Sequence, residues 1–382
     1  VYTRRVGNYL KIALLVLVTT LVVWLPFSLK ISSLPGWGLD FSAGLPAVWK
    51  NYDGPNYIII AKTWYDKNLI GQTFSNPLPL EYYPAHLPFY PVLIRLLNFV
   101  LPGTRAMLLA SLIGSVLAFA MFYKYLSEFK LTKQAFFLTV VLLFLPARFL
   151  AVRSIGAPET WFIFFVLASL YQFKKKKYFW AGLWGALAQL TKSPAVLLFV
   201  GYGLSLAYDY FKSKQSELKK LTAAWPLLLM PLTVYVLFSF YKARTGDFWA
   251  YFHSGDNFHL FWPPFSIFSP QGKFWTGDFW LEEIIWIWLI YGLGVLRLWK
   301  KKLTTEAFFM GTFFATTLFV AHRDVSRYIL PIAPLAILAW KDLLLKKEFR
   351  WLLVLLIIPI YLFTWDFLLN NQAPIADWTP YL

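Results

Sequence analysis

The sequence contains no cysteine, which excludes disulfide bonds, cysteine-ligated zinc and thiol catalysis. Charged residues are also scarce: they make up 14% of the 382 residues, whereas about 25% is typical of a soluble domain. Hydrophobic residues reach 59%, and apolar runs of about 20 residues recur along the chain. This composition and these runs exclude soluble, disordered and fibrous proteins. The runs are continuous rather than alternating, so they do not fit an outer-membrane barrel either.

The apolar runs predict an all-α polytopic membrane protein with about eleven transmembrane helices in a single integral membrane domain, 1–382. No fixed-period repeat, low-complexity tract or linker indicates a second domain. The first run follows Arg4, Arg5 and Lys11 without a cleavage site after it, so we expect an uncleaved anchor. The expected spans are 10–29, 104–126, 134–150, 159–173, 178–191, 194–211, 222–241, 281–299, 305–321, 328–345 and 350–368.

The formal net charge of +17 could indicate a nucleic-acid partner, so its distribution matters. With these spans, the inner loops carry 22 of the 36 basic residues and only six of the 19 acidic ones. This asymmetry follows the positive-inside rule, which places the N-terminus in the cytoplasm. The charge is therefore a topology signal, and we expect membrane lipids rather than nucleic acid as partners.

The long loops all lie on the expected outer side. The first, 30–101, precedes the second span, and the second, 242–280, is rich in aromatic residues. We expect interfacial helices in the first loop, including one in the segment 86–101, which is too short to cross a membrane. The aromatic residues are typical of an interfacial belt, although they could also line a lipid or sugar groove. His253 and His259 lack the helical spacing of a metal site, and we expect none.

Asp53 is the first candidate for chemistry. It precedes Gly54-Pro55, and proline is well suited to the first turn of a helix. Asp53 could therefore cap that helix, or it could be a general base at the water–lipid boundary. The helical spacing of Ile58, Ala61 and Trp64 predicts that the helix lies flat in the interface. His86, further along the loop, fits a packed or interfacial histidine.

Charged residues also cluster at the outer ends of several spans. Ionisable groups near hydrocarbon are costly and are functional candidates by default. Simple ion pairs, such as Arg153 with Glu159 or Arg323 with Asp324, and snorkelling are the alternatives. Arg323 and Arg327 are four residues apart and share a face if the helix continues, which suits a phosphate group.

Five segments, in this order, resemble motifs of the GT-C glycosyltransferases, above all of the second GPI mannosyltransferase and its prokaryotic relatives. They span about residues 10–345, and each is short. The segments are Tyr-Asp53-Gly-Pro-Asn-Tyr57, Tyr-Pro-Ala-His86-Leu-Pro-Phe-Tyr-Pro91, Ala-Pro-Glu159-Thr, Leu-Thr-Lys192-Ser-Pro and Ser-Arg327-Tyr-Ile-Leu-Pro.

The resemblance implies a membrane enzyme that moves a sugar, with mannose favoured, from a polyprenyl- or dolichyl-phosphate donor to a hydroxyl of a glycan, lipid or protein. The reaction would take place on the outer face of a prokaryotic plasma membrane or the lumenal face of the endoplasmic reticulum, with inversion and without an obligatory metal or cofactor. Asp53 would be the general base, and Arg323, Arg327 and Lys192 would bind the donor phosphate. The implied substrate- or acceptor-binding residues are Glu159, Tyr57, Arg153, His322 and His86.

Two departures from the family pattern leave the sugar and acceptor open: Tyr52 replaces a tryptophan, and Lys192 replaces an arginine. The sequence contains neither an Asp-x-Asp nor a Trp-Trp-Asp motif. A transporter or flippase of a lipid-linked precursor is the alternative function, and it predicts internal repeats and polar residues within the spans. A structural or assembly protein of the membrane is the third hypothesis.

Overall fold

The computed structural model describes residues 2–34, 36–51, 53–75, 78–213, 222–255, 259–269, 281–322 and 324–382, with side chains from residue 6 onward. Within these ranges the chain is built from α-helices joined by short turns. We number the helices in chain order. They are α1 (Tyr2–Ser28), α2 (Pro46–Trp49), α3 (Gly54–Thr63), α4 (Lys67–Thr73), α5 (Phe89–Leu97), α6 (Gly103–Glu128), α7 (Ala135–Phe144), α8 (Ala147–Arg153), α9 (Glu159–Lys174), α10 (Tyr178–Thr191), α11 (Val196–Ser213), α12 (Leu229–Thr245), α13 (Leu281–Lys300), α14 (Thr304–Thr317), α15 (Val325–Tyr328), α16 (Ala333–Ala339), α17 (Lys341–Leu344) and α18 (Lys347–Asn370).

Five of the described helical segments are long and apolar enough to cross a membrane: Val6–Ser28, Gly103–Glu128, Ser193–Lys212, Trp225–Thr245 and Lys347–Asn370. Their outer surfaces are apolar. Helix α18, for example, exposes the large side chains of Trp351, Leu355 and Ile358. Water solvates such an apolar surface poorly, whereas the hydrocarbon chains of lipids solvate it well. The other predicted spans correspond to shorter, broken or more polar helices, so the predicted count of about eleven is not confirmed.

Two of the predicted spans are broken at prolines. The segment 134–150 was expected to be one span, but α7 and α8 bend by 77° around Pro146. The segment 328–345 divides into short helices around Pro331 and Pro334. Proline lacks an N–H and disfavours helix at the residue before it, which explains both breaks.

Helix α6 lies at the centre of the fold, where it contacts α1, α3, α5, α7 and α9. Nine of the ten residues of α3 are buried, so this helix packs inside the protein, and the expectation that it lies flat at the membrane interface stays a prediction. The spacing of its apolar residues did not reveal this because Tyr57 and Asn56, on its other sides, are buried as well. Helix α5 is short, as expected, and the exposed residues Phe99 and Val100 follow it in the next turn.

Candidate functional site

Asp53 lies at the start of α3 but does not cap it. The Gly54-Pro55 start follows the expected pattern, yet the Asp53 carboxylate makes no hydrogen bond to the first turn of the helix. It forms an ion pair instead with Arg327, from α15, with 2.7 Å between Oδ2 and Nη2. The side chain is about one-fifth exposed, so solvent still reaches it. Because the carboxylate does not cap the helix, it is available to bind a ligand or to accept a proton.

Glu159 joins two cations through a single oxygen. Its Oε1 accepts hydrogen bonds from Arg327 Nε and Lys192 Nζ, both over 2.8 Å. The Glu159 side chain is fully buried at the start of α9, and among the described residues its Oε2 has no hydrogen-bond partner. Burying such a charge is costly unless it is paired, so the two cations and Glu159 hold one another in place. The network therefore joins Lys192, Glu159, Arg327 and Asp53.

Aromatic rings and a histidine enclose the other side of Asp53. His86 Nε2 lies 3.8 Å from Asp53 Oδ1, and the ring of His86 packs edge-on against Tyr57 with 5.0 Å between ring centres. Tyr65 donates a 2.6 Å hydrogen bond to the carbonyl oxygen of His86 and fixes its backbone. His86 Nδ1 is buried without a partner among the described residues. Tyr57 and His86, two of the residues that the resemblance implies for substrate or acceptor binding, both lie on this side of Asp53.

The charge of Asp53 depends on these neighbours. Burial raises the pKa of its carboxyl group, but the charge of Arg327 and the close contacts with His86 and Arg327 lower it by more. The net result is a pKa of Asp53 well below its usual range. The carboxylate is therefore ionised near neutral pH, but it is a weak base while Arg327 holds it.

A second ion pair borders this network and was not predicted. Arg148, from α8, pairs with Asp324, and its guanidinium stacks on the ring of Phe367. The sequence suggested a local pair of Asp324 with its neighbour Arg323, whereas in the structure its partner is Arg148, which lies in α8 after the 77° bend. His322 Nδ1 accepts a hydrogen bond of 3.0 Å from the backbone N–H of Asp324.

The structure separates Arg153 from the other predicted site residues. Its guanidinium donates hydrogen bonds of 2.7 Å to the hydroxyls of Thr19 and Thr20 on α1, and the side chain is 1% exposed. The alternative pairing with Glu159 is not formed in this arrangement, since Glu159 bonds to Lys192 and Arg327. Arg323, predicted to bind phosphate, lies outside the described residues, as do 256–258 and 270–280 of the second outer loop.

An apolar cavity of about 360 Å³ opens beside the network. Its wall includes Ser193 and Tyr328, which follow Lys192 and Arg327 in sequence, and the hydroxyl of Tyr251 bonds to that of Ser193 over 2.7 Å. Helices α11, α12 and α14 contribute aliphatic and aromatic side chains to the wall, namely Val196, Leu197, Val234, Leu237, Phe238 and Phe313. His259 also lines the cavity, and its ring centre lies 4.4 Å from that of His322. The cations and an apolar cavity are thus adjacent.

The fold is shared with two solved membrane-protein structures. ArnT from Cupriavidus metallidurans, bound to undecaprenyl phosphate, is similar over 91% of this chain with a TM-score of 0.56 and 15% identity. The archaeal oligosaccharyltransferase AglB from Archaeoglobus fulgidus, in complex with an inhibitory peptide and a dolichol-phosphate, is similar over 97% with a TM-score of 0.54 and 13% identity. The matched regions cover 62% and 57% of those two chains, less than two thirds of each.

At this level of identity the likeness concerns the fold alone. It agrees with the all-helical fold that the resemblance implies, whereas the particular relationship to the second GPI mannosyltransferase is not confirmed. The sequence matches no protein-family model, and no curated protein matches it. Together with the apolar helices, the shared fold indicates a multi-pass membrane protein.

Proposed function

We propose that the protein is a membrane glycosyltransferase that moves a sugar from a polyprenyl-phosphate donor to an acceptor hydroxyl, with Asp53 as the general base. The carrying observation is the network in which one arginine, Arg327, contacts both Asp53 and the buried Glu159 that holds Lys192. The network places a carboxylate close to two cations. Such a transfer needs a general base and groups that stabilise the negative charge of the leaving phosphate. The lipid phosphates bound to ArnT and AglB support this choice of donor.

The donor would bind with its phosphate at Lys192 and Arg327, and with Arg323 as a third cation. Its prenyl chain would enter the adjacent apolar cavity. The phosphodiester carries about one negative charge, and the leaving phosphate monoester carries nearly two. The cations would therefore stabilise the transition state more than the bound donor, which is what lowers a barrier.

In the reaction, the acceptor oxygen attacks the anomeric carbon while the bond from that carbon to the phosphate oxygen breaks. The electron pair of the broken bond stays on the phosphate, and the hydroxyl proton passes to Asp53. Attack from the side opposite the phosphate inverts the configuration of the sugar. The resemblance in sequence favours mannose.

Arg327 would change partners when the donor binds. In the structure its Nη2 contacts Asp53, which keeps the carboxylate ionised but weakly basic. A donor phosphate competes for the same guanidinium, and the loss of this contact would make Asp53 a stronger base. Glu159 would keep hold of Arg327 through Nε. The base would thus become active only when the donor is present, which limits wasteful reactions.

The remaining predicted residues would have different roles. Tyr57 and His86 lie beside Asp53 and would contact the acceptor, and His322 would lie at the donor side near Asp324. Glu159 would position the two cations, because its hydrogen-bonding oxygen is already used by them. Arg153 would stabilise the packing of α8 against α1 through Thr19 and Thr20.

In the membrane, we propose that the shorter and broken helices complete about eleven crossings, with the N-terminus in the cytoplasm and Asp53 on the outer or lumenal side. The basic inner loops support this orientation. The membrane would be a prokaryotic plasma membrane or that of the endoplasmic reticulum.

The function is tested with purified protein in nanodiscs, sugar-labelled polyprenyl-phosphate mannose and a membrane extract as the source of acceptor. We expect labelled product from the wild type and a loss of about 10²–10⁴-fold in Asp53→Asn, the usual contribution of a general base. Glu81→Gln is the matched control, because Glu81 is an exposed carboxylate of the same loop paired with Lys67. Transfer at the wild-type rate by Asp53→Asn would refute the base assignment. Movement of the intact donor across the bilayer, without product, would indicate a flippase.

A further inference from the structure

A second cavity, of about 660 Å³, lies at the other end of the central helix from Asp53. Its wall is formed by the first turns of α1, by Tyr123 and Ser127 near the end of α6, and by the turn that leads into α7. The volume falls within the range of roughly 300–1,000 Å³ typical of sites for small molecules.

The side chains around this cavity are suited to an anion. Lys11 and Lys133 line it, and Asn8 contributes an amide whose Nδ2 donates a 2.8 Å hydrogen bond to the hydroxyl of Tyr123. Ser127 adds a second hydroxyl, and no carboxylate is among the described lining residues. Glu128, next in the chain, is paired with Lys175 and so does not neutralise the lysines.

Helix α6 gives the position of the cavity relative to Asp53. Gly54 lies against Met107 near the start of α6, while the cavity reaches Ser127 near its end. At about 1.5 Å per residue, Met107 and Ser127 are separated by about 30 Å along the axis, which is the thickness of a hydrocarbon core. The two sites therefore belong to opposite membrane surfaces.

Apolar side chains beside the cavity favour a lipid over a free anion. Leu10 and Leu14, on the same helix as Lys11, are 67% and 59% exposed and face outward from the protein. A phospholipid whose phosphate is held by Lys11 and Lys133 would thus have its acyl chains along the exposed side of α1. Basic pockets between transmembrane helices are a known type of site for anionic headgroups.

We propose that this cavity binds the phosphate headgroup of an anionic glycerophospholipid from the leaflet opposite Asp53. Lys11 and Lys133 bind the phosphate, and Asn8 and Ser127 bind the remainder of the headgroup. The lipid would thereby add a contact among α1, α6 and α7 to those already present, such as the hydrogen bond of Asn8 with Tyr123. The inference does not depend on the proposed transfer reaction.

The test measures phosphatidylglycerol retained by the full chain, by native mass spectrometry, after release from nanodiscs of mixed phosphatidylglycerol and phosphatidylcholine. Two basic side chains near a membrane surface together contribute about thirtyfold in binding, so Lys11→Gln with Lys133→Gln should lower retention by that factor. The control, Lys176→Gln with Lys177→Gln, removes the same charge from exposed lysines of another loop and should retain the lipid.

A third variant separates the cavity from the charge. Gly7 lines the cavity, and a side chain at this position meets no atom within 4 Å, so Gly7→Leu fills space without altering the net charge. We expect it to lower retention at least fivefold while the protein stays folded, as judged by its thermal midpoint. Equal loss in both lysine pairs, full retention by Gly7→Leu, or displacement by inorganic phosphate at equal concentration would each overturn the proposal. The last result would assign the site to a free anion.

Discussion

Arg327 reaches Asp53 over 2.7 Å although the two residues lie in α15 and at the start of α3. The same guanidinium donates through Nε to Glu159, so a single planar group links a partly exposed carboxylate to a fully buried one. Arginine is suited to this because its donors form a rigid fork, which a lysine lacks. The proposed reaction therefore depends on whether Arg327 contacts Asp53 or the donor phosphate.

The first prediction concerns this fork. Arg327→Lys keeps the charge but cannot contact Asp53 and Glu159 in the same way, so transfer should fall at least tenfold, about 1.4 kcal/mol, with a higher KM for the donor. Steady-state kinetics in nanodiscs measure both constants. Arg105→Lys, at an exposed arginine in the first turn of α6, is the control and should behave as wild type. Unchanged kinetics in Arg327→Lys would contradict the role of the fork.

The second prediction is the pH dependence. The pKa of Asp53 is low because Arg327 and His86 outweigh burial, so kcat/KM should show no fall caused by Asp53 between pH 7 and about pH 5. In Arg327→Gln burial is no longer opposed by this charge, and the acid limb should move toward neutral pH. The measurement is kcat/KM for both proteins from pH 4 to 8. Coincident acid limbs in the two proteins would argue against this coupling.

The same shift makes a prediction for stability. A carboxyl group with a lowered pKa stabilises the folded state above its unfolded pKa, which is about 3.9 for aspartate. This contribution is lost as the pH falls through the folded pKa. The thermal midpoint of the wild type should therefore decline more between pH 5 and 3 than that of Asp53→Asn. Parallel pH dependence in the two proteins would contradict this.

Glu159 provides a prediction that separates structure from chemistry. It is fully buried and holds two cations, so Glu159→Gln should cost about 3 kcal/mol, as expected when one partner of a buried pair is lost. Glu81→Gln, at the exposed pair with Lys67, should cost less than about 1 kcal/mol. Thermal unfolding in detergent measures both. Equal midpoints for the two variants would show that Glu159 does not anchor the network.

The apolar cavity predicts a dependence on donor chain length. Val234 lines the cavity, and Val234→Trp should raise KM severalfold for a long-chain polyprenyl-phosphate sugar while affecting a short-chain analogue little. Leu232, on the same helix, is exposed and does not line the cavity, so Leu232→Trp is the control. The comparison requires KM for both donors with all three proteins. A similar rise for both donors in Val234→Trp would indicate a general distortion instead.

The sequence by itself determined the class of the protein and the places where charge accumulates. The long apolar runs predict helices that cross a membrane, and the distribution of the lysines predicts their orientation. It also predicted that Lys192, Glu159 and Arg327 lie at helix ends on one side of the protein. These are local properties, read from composition and spacing.

Only the tertiary structure decided which of these charges meet. Asp53 pairs with Arg327 rather than capping α3, Arg153 bonds to Thr19 and Thr20, and Arg148 reaches Asp324. Each contact joins segments far apart in the chain, and the bend at Pro146 sets the direction of α8. The burial of α3 likewise depends on α5 and α6 closing over it. Such contacts are governed by packing geometry, which the spacing of residues along one helix does not specify.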